Sequence, residues 1–419
     1  MTEGKRTTGT ARTGVSVSLL TGGTDRPYAL GLVRALVARG VQVDFVASDG
    51  LESSDLRSSP HVSFLNLRGD QTEQVSWSRK AMRLARYYIR ILWYAARAEP
   101  RVFHVLWNNR LEIFDRTALM GFYKLLGKRV VLTAHNVNAG RRDGRDSTLN
   151  RLTLRMQYRM AEHIFVHAQY LRRELTQVFG VPACRVSVIP FGTNEEVPDT
   201  SLTTREARGR LGVGDSERTI LFFGKLRPYK GIETLLAAFT ALETAAAPCR
   251  LFIVGKTEAG CEEYVARIRH AIDAAPGGRR VVLRDEYVPA EQLEVYFKAA
   301  DVVVLPYREV SQSGVLVLAY QFGLPVIATD IEGFRQAVVP GKTGLLFREG
   351  DPCHLARALE DFFRSEMYRD ETGRRADIAE VTRRRHAWDV VGEMTVKVYE
   401  SLSGPQGSSR RWGAARADG

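Results

Sequence analysis

The sequence predicts an α/β protein made of two doubly wound, Rossmann-like domains that face a central cleft. Three observations predict it. Short β-branched runs, apolar almost throughout, alternate with helical patterns along the chain, as parallel strands covered on both faces do. The runs form two series, 15–20, 41–47, 62–67, 102–107, 129–134, 164–167 and 186–190, then 219–223, 251–254, 281–283, 302–305, 326–328 and 344–347. A polar stretch at 194–217, rich in Thr, Glu and Asp, separates them. The first domain is therefore placed at 15–195, a hinge linker at 196–214, the second domain at 215–385 and a terminal helix at 386–402. Segments 1–14 and 403–419 read as disordered tails.

Composition agrees with this architecture. The 419 residues are 44% apolar and 26% charged, ordinary values that exclude bulk disorder and suffice for two or three cores. No apolar run approaches the roughly 18 residues of a membrane span. The polar 1–14 leads into an apolar run too short for a signal core, so a cytoplasmic protein is expected. Cys184, Cys249, Cys261 and Cys353 have no metal-ligand spacing and read as reduced thiols in packing roles.

The formal charge is +12, and half of it falls on one segment, 76–101. The remainder of the chain, tails aside, is close to neutral. A general nucleic-acid surface is excluded, and one local basic feature remains. At 100° per residue, Arg79, Arg83, Arg86, Arg90 and Arg97 share about 60° of a helix, with Leu84, Tyr88, Ile91, Leu92 and Ala95 opposite. Such a stripe is either a solvated face or a contact for anionic lipid headgroups or a lipid-phosphate acceptor.

In open parallel sheets, ligands bind beyond the carboxyl ends of the strands. Gly22 and Gly23 follow the first run there, where backbone N–H groups can approach a phosphate or simply make a tight turn. His135 follows the run 129–134, placed to act as acid or base or to hold a substrate hydroxyl; His104, His163 and His167 lack a comparable setting. Lys225 and Lys230 flank a strand-to-helix turn closed by Gly231, within reach of a diphosphate. Ser313 and Gly314 open a helix that can present N–H groups to a phosphate, although an ordinary N-cap explains the serine equally. Glu309 is the carboxylate of that loop. An anionic ligand held between the domains is the common reading. The Gly-Lys-Thr at 341–343 lacks the upstream glycine of a nucleotide-binding phosphate loop, and no Asp-x-Asp occurs, so no metal or cofactor is indicated.

The residues FFGKLRPYKGIE at 222–233, IVGK at 253–256, AAD at 299–301, LPY at 305–307, GLPVIATD at 323–330 and GKTGLL at 341–346 resemble the retaining glycosyltransferases of family four, which have the GT-B fold. TAHN at 133–136 and VIPFG at 188–192 extend the likeness into the first domain. The resemblance implies a nucleotide-sugar donor on the second domain, with Lys225 and Lys230 on its diphosphate and Tyr287 and Val288 near the base. It places His135 against the transferred sugar or acceptor and has the final helix cross back onto the first domain. Relatives carry two glutamates eight positions apart. Glu309 stands in for the first, while the ribose-binding second is Leu318. The implied reaction is metal-independent transfer, with retention, to a hydroxyl of a saccharide or lipid-linked saccharide in surface polysaccharide or glycolipid assembly. Two rivals stay open: a nucleotide-sugar epimerase of the same fold, and a non-catalytic GT-B subunit, suggested by Leu318. A nicotinamide dehydrogenase is disfavoured because no Gly-x-Gly-x-x-Gly follows a strand.

Overall fold

A computed structural model describes residues 14–22, 25–71, 76–242, 248–275 and 278–404. The expectations for Gly23 and for 1–13 and 405–419 lie outside the described residues. The first sheet contains β1 (Ser16–Thr21), β2 (Gln42–Ala47), β3 (Val62–Asn66), β4 (Val102–Trp107), β5 (Arg129–Thr133), β6 (His163–Val166) and β7 (Val186–Val188). The second contains β8 (Arg218–Phe223), β9 (Cys249–Val254), β10 (Val281–Arg284), β11 (Val302–Leu305), β12 (Val326–Thr329) and β13 (Gly344–Phe347). Every expected run is a strand, its ends shifted by at most one or two residues.

The orders are β3-β2-β1-β4-β5-β6-β7 and β10-β9-β8-β11-β12-β13, and the pairings are parallel. Both sheets reverse direction beside their first strand, between β1 and β4 and between β8 and β11. Those switch points open the crevices in which such sheets bind ligands.

Seven helices position the site: α1 (Arg26–Val37), α2 (Trp77–Arg97), α3 (Ala139–Arg142), α4 (Gln169–Gln177), α5 (Thr204–Leu211), α6 (Gly314–Gln321) and α7 (Trp388–Ser403). α5 lies inside the segment expected to be a linker. Thr203 and Glu206 cap it reciprocally and Gly212 ends it in the left-handed conformation, the local signals of a self-starting helix. Arg208 on α5 reaches Asp301 at 2.7 Å, and Asp301 also accepts the N–H of Thr219 on β8. The linker thus runs partly along the second domain.

α7 crosses back to the first domain, as the resemblance implies. Its Val391, Val396 and Tyr399 are buried in the layer that α1 makes with the first sheet. The Trp388 ring occupies the space a Cβ would take on both Gly31 of α1 and Gly192. The Tyr399 hydroxyl sits 2.6 Å from Nδ1 of buried His104. On the sheet's other face α2 buries Tyr87, Tyr88, Ile91 and Ala95, with Arg79, Arg86, Arg90 and Arg97 of the arginine stripe turned outward. The packing role expected of the thiols needs correction: the four cysteines are free, but only Cys249 is buried, and Cys184 and Cys353 are exposed.

Candidate active site in the interdomain cleft

On the second domain the site is built by the turn after β8. Gly231 has φ +65°, and a Cβ there would overlap the Pro306 carbonyl, so only glycine lets the turn Pro228–Lys230 close against β11. That closure drives Lys230 inward, to 8% exposure. Its ammonium lies 3.7 Å from the centroid of Tyr307, and Lys230, Arg227 and Arg142 all lie within 5.4 Å of the Tyr229 ring. Among the described residues Lys230 has no carboxylate partner. Burial, then the charges of Arg142 and Arg227, pull its pKa down to about 7. A buried cation held by aromatic faces and crowded by two guanidiniums is a site short of an anion.

Arg142 comes from the first domain, at the end of α3. Asp143 beside it accepts from Arg142 at 2.8 Å and lies 3.2 Å from Arg227. Further along the cleft Arg141 Nε is 3.4 Å from Glu309, and Tyr170 on α4 donates to the Ser311 carbonyl at 2.5 Å. The loop of Glu309 therefore faces the first domain directly.

His135 stands just beyond β5, stacked on Trp107 with centroids 4.5 Å apart and planes 3° from parallel. Its protonation pattern follows from its neighbours. His167 Nδ1 is 3.2 Å from the Ile189 carbonyl, which can only accept, so Nδ1 carries the proton. Burial pulls the His167 pKa down to about 4, so the ring is neutral and its Nε2 is an acceptor. That Nε2 is 3.0 Å from His135 Nδ1, which must then donate. Burial, with His167 and His104 adding to it, holds His135 well below the usual imidazole range. Its Nε2 is left with a free lone pair, buried and without a protein partner. This atom can accept a hydrogen bond from a substrate hydroxyl. A cavity of about 210 Å³ lined by Trp107, Asn108, Thr133, His135, Asn136 and Gln157 adjoins it.

The remaining expected residues separate into groups. Gly22 is required because a Cβ would overlap the Trp107 carbonyl, so close strand-to-loop packing accounts for it. Lys225 is 68% exposed and paired with Glu258 at 2.8 Å, and would have to leave that pair to meet a diphosphate. Ser313 is the N-cap of α6 and accepts from Leu316 N–H at 3.2 Å. Gly314 follows it with only ordinary contact to Phe191. Val288 is buried and Tyr287 is 76% exposed, both just past β10. Leu318 is buried in the second core. His167 is a correction: far from lacking a setting, it orients His135. Part of the signal was available, since His167 directly follows β6 much as His135 stands just past β5, while the adjacency of β5 and β6 came from the sheet order. Arg142 and Asp143 carried no sequence signal, because only the closed cleft brings α3 to Tyr229.

The description Glycosyltransferase Family 4 matches residues 21–197, and Glycosyl transferases group 1 matches residues 217–365. The chain belongs to the family 4, group 1 glycosyltransferases. This glycosyltransferase is 30% identical over 234 residues to the D-inositol 3-phosphate glycosyltransferase of Paenarthrobacter aurescens, spanning 55% of each chain. It is 25% identical over 363 residues to the protein of that name in Corynebacterium diphtheriae, spanning 83% of each. With the first of these the match thus covers about half of the relative's length. Among solved structures, the glycosyltransferase superposes on sucrose-phosphate synthase from Thermosynechococcus elongatus with TM-score 0.74 at 20% identity, covering 93% of this chain and 99% of that one. Anabaena HepE in complex with UDP gives 0.72 at 17%, covering 93% and 100%. These likenesses establish the two-domain GT-B fold.

Proposed function

We propose that this glycosyltransferase moves a sugar from a nucleotide-diphosphate sugar to a hydroxyl of a saccharide or lipid-linked acceptor, with retention and without a metal. The observation that carries the reading is Lys230, a buried cation beside Arg227 and Arg142 that has no carboxylate of its own among the described residues. Negative charge develops on the leaving diphosphate as the glycosidic bond breaks. Cations already fixed in a dry site stabilise that charge more than the ground state. The UDP held by the solved HepE supports a nucleoside diphosphate as the ligand, and the exposed Tyr287 offers a face to its base. His135 Nε2 would accept from a hydroxyl of the transferred sugar. Glu309 is the carboxylate assigned to the reacting centre, approached by Arg141.

A peripheral membrane position is favoured by α2. Beside exposed Arg79, Arg86 and Arg90 stand Met82, Ile89 and Trp93, 56%, 68% and 61% exposed. On the wheel these three continue the arginine stripe, so the outward face combines cations with apolar side chains, as interfacial helices do. No described helix is long and apolar enough to cross a membrane.

The experiment is a panel of nucleotide-sugars assayed for nucleoside diphosphate release and for calorimetric binding. Donor binding that Lys230→Ala abolishes supports the reading. Absence of binding to any donor, or a Lys230→Ala variant equal to wild type, sinks it.

A further inference from the structure

A second cationic cavity lies on the first domain, outside the donor cleft. It measures about 240 Å³, and its lining includes Arg68, Trp77, Lys80, Arg83, Tyr87 and Arg110. Arg68 follows β3 and Arg110 follows β4, so both stand on the carboxyl edge that also carries His135. Trp107, which stacks on His135, is three residues before Arg110. The cavity is thus reached along the sheet edge from the reacting centre.

Its charges are poorly matched from within. Arg83 pairs with Asp70 at 2.9 Å. Lys80 and Arg110 make no ion pair among the described residues. Arg68 is held by the Thr21 and Gly22 carbonyls and lies 5.3 Å from the Tyr87 ring centroid. The buried carboxylate nearest in effect, Asp115, is engaged by the Tyr88 hydroxyl at 2.9 Å and the Asn109 N–H at 2.6 Å. Burial lowers the Arg68 pKa on balance, although the charge of Asp115 works against it. Among the described residues Arg68, Lys80 and Arg110 line the cavity without an ion pair, and Trp77, 83% exposed, supplies an apolar plane at the mouth.

We propose that this cavity binds a phosphate group carried by the acceptor, which makes the acceptor substrate a phosphorylated one. Guanidinium forks and an ammonium around an oxyanion are the chemistry that recognises phosphate. The room beyond a single oxyanion admits part of the sugar or polyol bearing it. The assignment deepens the functional reading above and rests on it.

The test uses the full chain with its donor cleft saturated by UDP, so that phosphate cannot register at Lys230. Calorimetric titrations with inorganic phosphate and glucose 1-phosphate are run beside flotation with phosphatidylcholine vesicles containing phosphatidic acid. The proteins are wild type, Lys80→Ala/Arg110→Ala, and Arg205→Ala/Arg210→Ala, which loses the same charge on the exposed face of α5. Saturable binding of the soluble phosphates, weakened about tenfold or more in the Lys80/Arg110 variant alone, supports the proposal with a soluble acceptor. Vesicle capture lost in that variant and retained in the Arg205/Arg210 variant supports it with a lipid-borne phosphate. Equal behaviour of the two variants, or binding of neither the soluble phosphates nor the vesicles by a protein that does bind UDP, overturns it. A wild-type protein that fails to bind UDP overturns the functional reading instead.

Discussion

Asp143 of the first domain lies 3.2 Å from Arg227 of the second, and the same carboxylate takes a 2.8 Å hydrogen bond from Arg142. Burial works to raise its pKa, but the hydrogen bond and the charges of both arginines lower it on balance, so Asp143 is ionised. It occupies the guanidiniums that flank Lys230. A diphosphate arriving there competes with it, and Asp143→Asn should therefore tighten UDP binding several-fold, on the order of 1 kcal/mol. Calorimetry decides this, and weaker binding by the variant would show that Asp143 positions the arginines instead.

Lys230 links donor binding to pH. Its pKa near 7 in the empty cleft means that above neutrality the free protein must take up a proton to present an ammonium. UDP affinity should hold below pH 7 and fall above it, approaching tenfold per pH unit if no other group compensates. At about pH 8 the binding enthalpy should vary with the ionisation enthalpy of the buffer. Lys230→Met should raise the UDP Kd about 10- to 100-fold and remove the pH dependence. Affinity unchanged from pH 6 to about 8.5 in the wild type would contradict the assignment. For stability the sign is opposite to that of a paired lysine. The depressed pKa favours the neutral form in the folded state, so the cost of burying the ammonium is greatest below pH 7 and fades as pH rises toward 10.5.

His167 sets the lone pair of His135. His167→Phe removes the acceptor of the His135 Nδ1–H and lets the ring take the other tautomer. We expect kcat to drop about tenfold or more with the UDP Kd unchanged. His167→Gln, whose side-chain oxygen can accept that proton, should keep more activity than the Phe variant. Equal loss in both would mean that His167 only fills space.

Gly31 and Gly192 accommodate the Trp388 ring, so the C-terminal helix is keyed to the first domain by absent side chains. Gly31→Ala should destabilise the protein by about 1–3 kcal/mol through overpacking, read as a lower Tm. Trp388→Leu in the same chain should recover part of that loss, because it removes the clashing ring. Additive losses would place the Gly31 effect elsewhere.

The outer face of α2 predicts binding to anionic vesicles that falls with added salt. Arg86→Glu/Arg90→Glu should release the protein through charge, and Ile89→Ser/Trp93→Ser through lost insertion. Retention by both variants would return this face to ordinary solvation.

Much of the architecture is legible in the chain because it depends on local patterns. Parallel strands buried on both faces must be apolar along their length, so runs such as 302–305 and 326–328 announce themselves. The arginine stripe of α2 is legible for the same reason, since helical periodicity sorts exposed from buried positions. Met82, Ile89 and Trp93 were not legible as exposed residues, because an apolar side chain reads as core until its surroundings are known. α5 was hidden by its polar composition, although its capping box stood in the sequence at Thr203 and Glu206.

By itself the sequence determined two parallel sheets, their family and the edge at which ligands meet: strand burial, glycine turns and the residues after each strand are properties of neighbours along the chain. The tertiary structure decided what each group does there. It separated Lys225, exposed and paired with Glu258, from Lys230, buried beneath Tyr229 and Tyr307. It joined His167 to His135 and carried Arg142 and Asp143 across the cleft to Arg227. Charge state, tautomer and unmet charge depend on burial and on partners distant in sequence, which the folding of each domain supplies to Lys225, Lys230 and His135 and which the meeting of the two domains supplies to Arg142 and Asp143.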